Sequence, residues 1–247
     1  MNYIIDEKKI FIDEEKKPFG KGSEGKCYKK NNQIYKIYYK NAINEFGRNK
    51  CLDHQYLIGI PTKQIILPNA LIYNEDYSYA GYRKDIAKGE KDVTKKQGFS
   101  LLPSKKFISN LQILESDMRL LANNYVLVAD IQPVNYFFDQ EKGIMKLIDP
   151  GRYRIGKFDY INDFDDNDLK EVCNRQNKQL LENLVTNLIY NDIIKYKPLN
   201  SKKKLQKLRD YIKNDKSSLS YSEYFEETLN SFEDANTYFK SLGKYIR

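Results

Sequence analysis

The run Asp130-Ile131-Gln132-Pro133-Val134-Asn135, with Leu147-Ile148-Asp149-Pro150-Gly151 behind it, decides how this chain is read. An apolar segment, residues 125–129, leads into the first run. A β-like hairpin, Tyr136-Phe137-Phe138 against Ile144-Met145-Lys146-Leu147 with its turn at residues 139–143, separates the two. Two carboxylates and one amide are thereby held at strand ends by apolar flanks. Hard oxygen donors suit Mg²⁺, so Asp149 and Asn135 are candidate metal ligands. Asp130 can orient an attacking hydroxyl and accept its proton. Either aspartate alone reads as an ordinary turn or cap residue. Together, with Asn135 at its offset and a glycine segment upstream, they point to phosphoryl transfer.

That upstream segment, Gly20-Lys21-Gly22-Ser23-Glu24-Gly25, reads G-x-G-x-x-G. A dinucleotide fingerprint would need a helix directly after it. Here a strand-like hairpin follows, Lys26-Cys27-Tyr28-Lys29-Lys30 and Gln33-Ile34-Tyr35-Lys36-Ile37-Tyr38-Tyr39. It turns on Asn31-Asn32, a pair that tolerates positive φ. The arrangement suits a flap over nucleotide phosphates, where Gly20, Gly22 and Gly25 let backbone N–H groups come close. The plainer reading is a glycine turn. Alternation puts Tyr35 and Ile37 on one face of their strand and Lys36 on the other. Facing a cleft, Lys36 can hold phosphate oxygens; at a sheet edge it is an exposed lysine. A carboxylate is needed to fix its side chain, and Glu45 on the following helix is the nearest candidate.

The 247 residues organise as a β-rich part, 1–86, and a mainly helical part, 87–247. In the first, Ile10-Phe11-Ile12 is β-prone, Asn41 can cap a helix running to about Tyr56, and a second hairpin turns at Asn74-Glu75-Asp76. Residues 84–98 are polar and read as a connector. In the second, Phe107, Leu111, Leu114, Met118 and Leu121 form one helical stripe with Ser104 as its cap. Leu181, Leu184, Val185 and Leu188 mark another buried helix, and amphipathic helices at 205–212 and 224–242 end the chain. The fold class is α+β, and ligands often bind in the cleft between two such lobes.

Composition excludes several functions. No apolar run approaches the ~20 residues of a membrane span, and the start lacks a signal-peptide pattern, so a cytoplasmic location is expected. Three cysteines without CxxC argue against a disulfide scaffold or thiolate zinc site. A single histidine, His54, argues against histidine metal sites and histidine-based nucleophilic catalysis, and itself reads as a loop or surface residue. Lys+Arg total 42 and Asp+Glu 34, a net charge of +8 that attracts phosphates, acidic proteins or nucleic acid without choosing among them. The basic run Lys202-Lys203-Lys204-Leu205-Gln206-Lys207-Leu208-Arg209 lacks interleaved aromatics and reads as a solvated helix face, so nucleic acid is not an expected partner.

These motifs, from about residue 18 to 152, resemble those of the protein-kinase-like family. Gly20, Gly22 and Gly25 are similar to its glycine-rich loop, Lys36 to its strand lysine and Glu45 to the paired helix glutamate. Asp130-Ile131-Gln132-Pro133-Val134-Asn135 resembles the catalytic loop and Asp149-Pro150-Gly151 resembles D-F-G. The resemblance implies a bilobal fold, a small β-rich N-lobe with one helix and a larger helical C-lobe. It also implies ATP with Mg²⁺ and transfer of the γ-phosphoryl group. Departures are specific. Val128-Ala129 replaces His-Arg, which removes the usual capture of a phosphorylated loop. Gln132 stands where serine/threonine kinases usually carry a phosphate-contacting lysine. Pro150 replaces phenylalanine, no A-P-E follows, and residues 152–168 are short and acidic. An atypical, compact serine/threonine protein kinase with a protein substrate is the expectation. A small-molecule kinase of the aminoglycoside or choline type and a nucleotide-binding pseudokinase scaffold are the alternatives.

Overall fold

Period-two apolar spacing in the first third builds an antiparallel sheet. The computed structural model describes residues 1–43, 50–87, 91–92, 105–130, 135–139, 144–159 and 165–190. Strands β1 (Asn2–Ile5), β2 (Lys8–Phe11), β3 (Gly20–Lys21), β4 (Gly25–Lys30) and β5 (Gln33–Tyr38) precede helix α1 (Lys50–Leu57). Strands β6 (Pro68–Tyr73) and β7 (Tyr79–Asp85) follow it. They form one seven-stranded sheet in the order β2-β1-β6-β7-β5-β4-β3, antiparallel throughout. The β4–β5 turn is the one expected: Asn31 and Asn32 have φ of 46° and 64°, the left-handed pair that matches strand twist. Strand β1 lies outside the sequence expectations, although alternating Tyr3 and Ile5, both buried, carry its signal.

Downstream come β8 (Lys91–Asp92), α2 (Lys105–Asn123), β9 (Val126–Leu127), β10 (Tyr136–Asp139), β11 (Ile144–Leu147), β12 (Arg154–Ile155), α3 (Gly156–Asp159) and α4 (Asp166–Tyr190). The expected β10–β11 hairpin forms, pairing Phe137 with Lys146, and β8 adds to its other edge. Strand β12 pairs with β9. The chain is α+β with a mostly antiparallel sheet and a few helices. Among the described residues no helix is long and apolar enough to cross a membrane.

Three expectations need correction. Asn41 caps no long helix; it lies in a 3₁₀ turn, Lys40–Ala42, and the described helix starts at Lys50. The connector does not begin at residue 84: Lys84 pairs with Ile34 on one side and Pro68 on the other, so β7 continues to Asp85. His54 is neither loop nor surface. It is 1% exposed on α1, with Nδ1 2.6 Å from the Tyr79 hydroxyl and Nε2 3.4 Å from that of Tyr38. Burial, reinforced by Lys36 and Lys50, lowers its pKa to about 3, so the ring is neutral. Glu45, Gln132, Ser104, the helices expected at 205–212 and 224–242 and the basic run at 202–209 lie outside the described residues.

The sheet has two working faces. Tyr3, Ile5, Tyr28, Tyr35, Ile37 and Ile72 pack into one apolar cluster, each buried side chain contributing roughly 1.5–3 kcal/mol. Tyr38, Tyr79 and Tyr82 cluster separately. Farther along, Leu114, Met118 and Leu121 of the expected stripe are buried, and Ala122, Tyr125, Leu127, Leu169 and Cys173 form a third cluster. The segment between α1 and β6 ties both parts together. Asp117 on α2 accepts from the N–H groups of Lys63, Gln64 and Ile65 at 2.9, 2.5 and 3.1 Å, while Leu147 N–H donates to Gln64 and Leu147 C=O accepts from Ile66.

Candidate functional site

The glycine segment is a tight β3–β4 hairpin. Gly22 N–H donates to Gly25 C=O at 3.0 Å, above the pairs Lys21–Lys26 and Gly20–Cys27. Its glycines differ in what they permit. A Cβ on Gly25 would collide with the Ile37 carbonyl of β5. A Cβ on Gly20 would meet Cys27 at an ordinary 3.8 Å, and one on Gly22 would meet nothing within 4 Å. Gly25 is thus required by packing, and Gly22 is open to whatever approaches the hairpin.

Lys36 stands on β5, between β4 and β7, so it is no edge lysine. Period two puts it on the face shared with Tyr38, and it is 6% exposed. Its Nζ lies 2.9 Å from Asp149 Oδ1 and 3.5 Å from Glu24 Oε2, with the rings of Tyr38 and Tyr82 at 5.2 and 5.8 Å. Burial opposes the charge, but Asp149 and Glu24 outweigh it and raise the Lys36 pKa. Conversely, Lys36 and Lys84 hold the Asp149 carboxyl well below the usual carboxylate range despite its desolvation. The expected Glu45 partner lies outside the described residues; within them Asp149 and Glu24 neutralise Lys36.

Asp149 heads a 3₁₀ turn, Pro150–Arg152. Its Oδ1 accepts from Lys36 Nζ, the Tyr82 hydroxyl at 3.2 Å and Gly151 N–H at 3.3 Å. Those three bonds leave Oδ2 as the oxygen for a cation. Asn135, also buried, donates its Nδ2–H to Asp130 C=O at 2.8 Å, while its own C=O accepts from Ile148 N–H at 3.0 Å. One amide residue thus joins the Asp130 run to the segment carrying Asp149. Asp130 has φ 57°, an unusual conformation for a non-glycine residue, held by that Asn135 bond.

Asn177 is a supporting residue that sequence reading missed. From α4, 1% exposed, it accepts from Val128 N–H at 2.9 Å and donates to Val126 and Met118 carbonyls at 2.9 and 3.2 Å. It fixes the strand leading into Asp130. Its signal is a polar residue one turn from Cys173 and from Leu181 on a buried helical stripe.

Further cations surround the site. Lys50 Nζ and Arg152 Nε each lie 3.0 Å from Glu24 Oε1. These cations and Lys36 hold the Glu24 pKa down against its desolvation. Lys84 donates to the Ile148 carbonyl, and burial lowers its pKa. A crevice of about 340 Å³ is lined by Glu24, Lys36, Lys84 and Arg152, while Lys50 reaches it through Glu24. Gly20, Gly22, Gly25, Lys36, Asp130, Asn135 and Asp149, every described candidate residue, line it. A larger groove of about 610 Å³ runs along Ile58 to Asn69 and touches none of them. Among the described residues no group of three or more His, Cys, Asp or Glu side chains is placed to hold a metal. The Asp149 carboxylate and the Asn135 amide fit a hard cation whose remaining ligands come from phosphate or water. No protein-family model and no curated protein sequence matches the chain.

Proposed function

We propose that this chain is an ATP- and Mg²⁺-dependent phosphotransferase of bilobal protein-kinase-like fold, acting in the cytoplasm on serine or threonine hydroxyls of a protein substrate. The observation that carries the reading is the meeting of Lys36 and Asp149 beneath the glycine hairpin, in the same crevice as Asp130 and Asn135. Lys36 takes phosphate oxygens as a buried, permanently charged donor. Asp130 accepts the proton of the attacking hydroxyl. Gln132, between them in the run 130–135, serves as an uncharged donor to the transferred group. Asp149 and Asn135 would hold Mg²⁺, which supplies charge neutralisation to the phosphates when bound. The unobstructed Gly22 lets the backbone lie close over them. Cys27, Cys51 and Cys173 form no disulfide with one another, consistent with a reducing compartment.

One observation favours the scaffold alternative: Glu24 already occupies Lys36, the cation expected to hold phosphate, together with Lys50 and Arg152. ATP turnover with Mg²⁺ separates the readings, comparing the native chain with Asp130→Ala and Asp149→Ala. Turnover lost in both variants supports catalysis at this site. Binding of ATP without turnover in the native chain supports a scaffold. Phosphate appearing on a small alcohol and never on serine or threonine replaces the protein substrate with a small molecule.

A further inference from the structure

Ser23, at the tip of the β3–β4 hairpin, is exposed, yet the next side chain, Glu24, is buried. It is buried because cations from three separate elements converge on it: Lys36 of β5, Lys50 of α1 and Arg152 of the turn after Asp149. A carboxylate offers two oxygens and one charge to that set. Lys36, Lys50 and Arg152 share Glu24 as an anion, although Lys36 also pairs with Asp149. When the Glu24 side chain turns away, another anion entering the crevice meets the same convergent positive charge. The crevice, about 340 Å³, has the volume of a small-ligand pocket. The backbone around Glu24 is pinned, since its carbonyl accepts from Tyr39 N–H at 2.9 Å and Gly25 packs on the Ile37 carbonyl. The side chain can therefore leave by rotation while the hairpin base stays in place.

We propose that Glu24 is the resting occupant of a polyphosphate cradle, and that Lys50 and Arg152 join Lys36 in binding the phosphates when the Glu24 side chain rotates out. This deepens the phosphotransferase reading and rests on it for the identity of the phosphates as those of a nucleotide. It adds two phosphate-binding residues and a built-in competitor. The competitor lowers the fraction of molecules ready to bind, and apparent affinity falls by that fraction.

The probe is inorganic tripolyphosphate, titrated calorimetrically into the full chain at low salt. Glu24→Gln keeps the shape and one acceptor oxygen while removing the charge; it is expected to bind tripolyphosphate at least about tenfold more tightly than the native chain. In the Glu24→Gln background, adding Lys50→Met is expected to weaken binding about tenfold. If Lys50 merely neutralises Glu24, that second substitution changes nothing, and the proposal falls. Equal or weaker binding by Glu24→Gln, or no binding by either chain, also overturns it. A crystal of the native chain soaked in tripolyphosphate gives a readout independent of variants. Phosphate oxygens on Lys50 and Arg152, with Glu24 turned away, are expected; phosphate bound beside an intact Glu24–Lys50 pair refutes the proposal. Tripolyphosphate behaving as expected without ATP turnover would leave the cradle standing and remove the phosphotransferase reading. ATP turnover with no tightening in Glu24→Gln would do the reverse.

Discussion

Lys36 and Asp149 are 113 positions apart in the chain and touch at 2.9 Å. The lysine sits on an interior strand of the sheet, and the aspartate heads the turn that follows β11. Asp149 helps keep the buried Lys36 charged, and Lys36 in turn stabilises the ionised carboxylate of the half-buried Asp149. This contact also brings the glycine hairpin, through Glu24, onto the segment that carries Arg152.

Replacing Lys36 by methionine keeps the stem and removes the charge, so Glu24 and Asp149 lose a shared partner. Breaking a buried pair from one side costs about 3–5 kcal/mol. The Asp149 side chain is 33% exposed, and water compensates part of that loss. A destabilisation of about 2 kcal/mol is expected in urea unfolding at pH 7, together with loss of ATP turnover. Both carboxyls have pKa values below their ordinary range, so their stabilisation is present above about pH 4 and lost as pH falls further. The native-to-variant gap should therefore narrow in acid. A gap that is constant from pH 7 to pH 3 would refute the pairing.

His54 gives a second pH signature. Its unfolded pKa is about 6.5, and its folded value about 3. Between those limits the unfolded chain binds one more proton than the folded one. Stability therefore falls with falling pH, by up to about 1.4 kcal/mol per unit from this residue. His54→Phe is expected to lower stability at pH 7, because the Tyr79 and Tyr38 hydroxyls lose a partner, and to flatten the slope between pH 6 and pH 5. An unchanged slope would show that His54 is protonated in the folded state.

The hairpin glycines should separate in their effects. Gly25→Ala drives a methyl group into the Ile37 carbonyl, with an expected cost of about 2 kcal/mol from displaced strand backbone. Gly22→Ala meets open space and should alter stability by less than about 0.5 kcal/mol. If Gly22 lies over phosphates, its substitution raises the KM for ATP without moving the unfolding midpoint. Equal destabilisation by both substitutions would contradict the hairpin geometry.

Asn177→Leu preserves volume but strands the Val128 N–H and the Val126 carbonyl, both buried. The expected cost is about 2–3 kcal/mol. Activity should fall further than stability does, because the strand entering Asp130 is loosened; kcat measured well below the melting temperature tests this. A variant with native kcat would confine Asn177 to a purely structural role.

Much of the sheet is legible in the chain's local patterns. Asn31-Asn32 specifies a left-handed turn, and alternation around Lys36 specifies its face, because both follow from dihedral preference and the two-residue period of strands. The placement of Asp130, Asn135 and Asp149 at the ends of short apolar strands is legible for the same reason. The tyrosines, 21 in the chain, carry no reading from composition, yet Tyr3, Tyr28, Tyr35, Tyr38, Tyr79 and Tyr82 build its core.

By itself the sequence determined the β4–β5 and β10–β11 hairpins and the buried stripe of α2, since those depend on neighbours within a few positions. Only the tertiary structure decided who neutralises whom. Glu24 gathers Lys36, Lys50 and Arg152, and Asp149 takes Lys36, because charges desolvated by packing must find partners wherever the fold brings them, at any separation along the chain. For the same reason His54 became a neutral core residue: the packing of α1 on the sheet, and no local pattern, removed it from water.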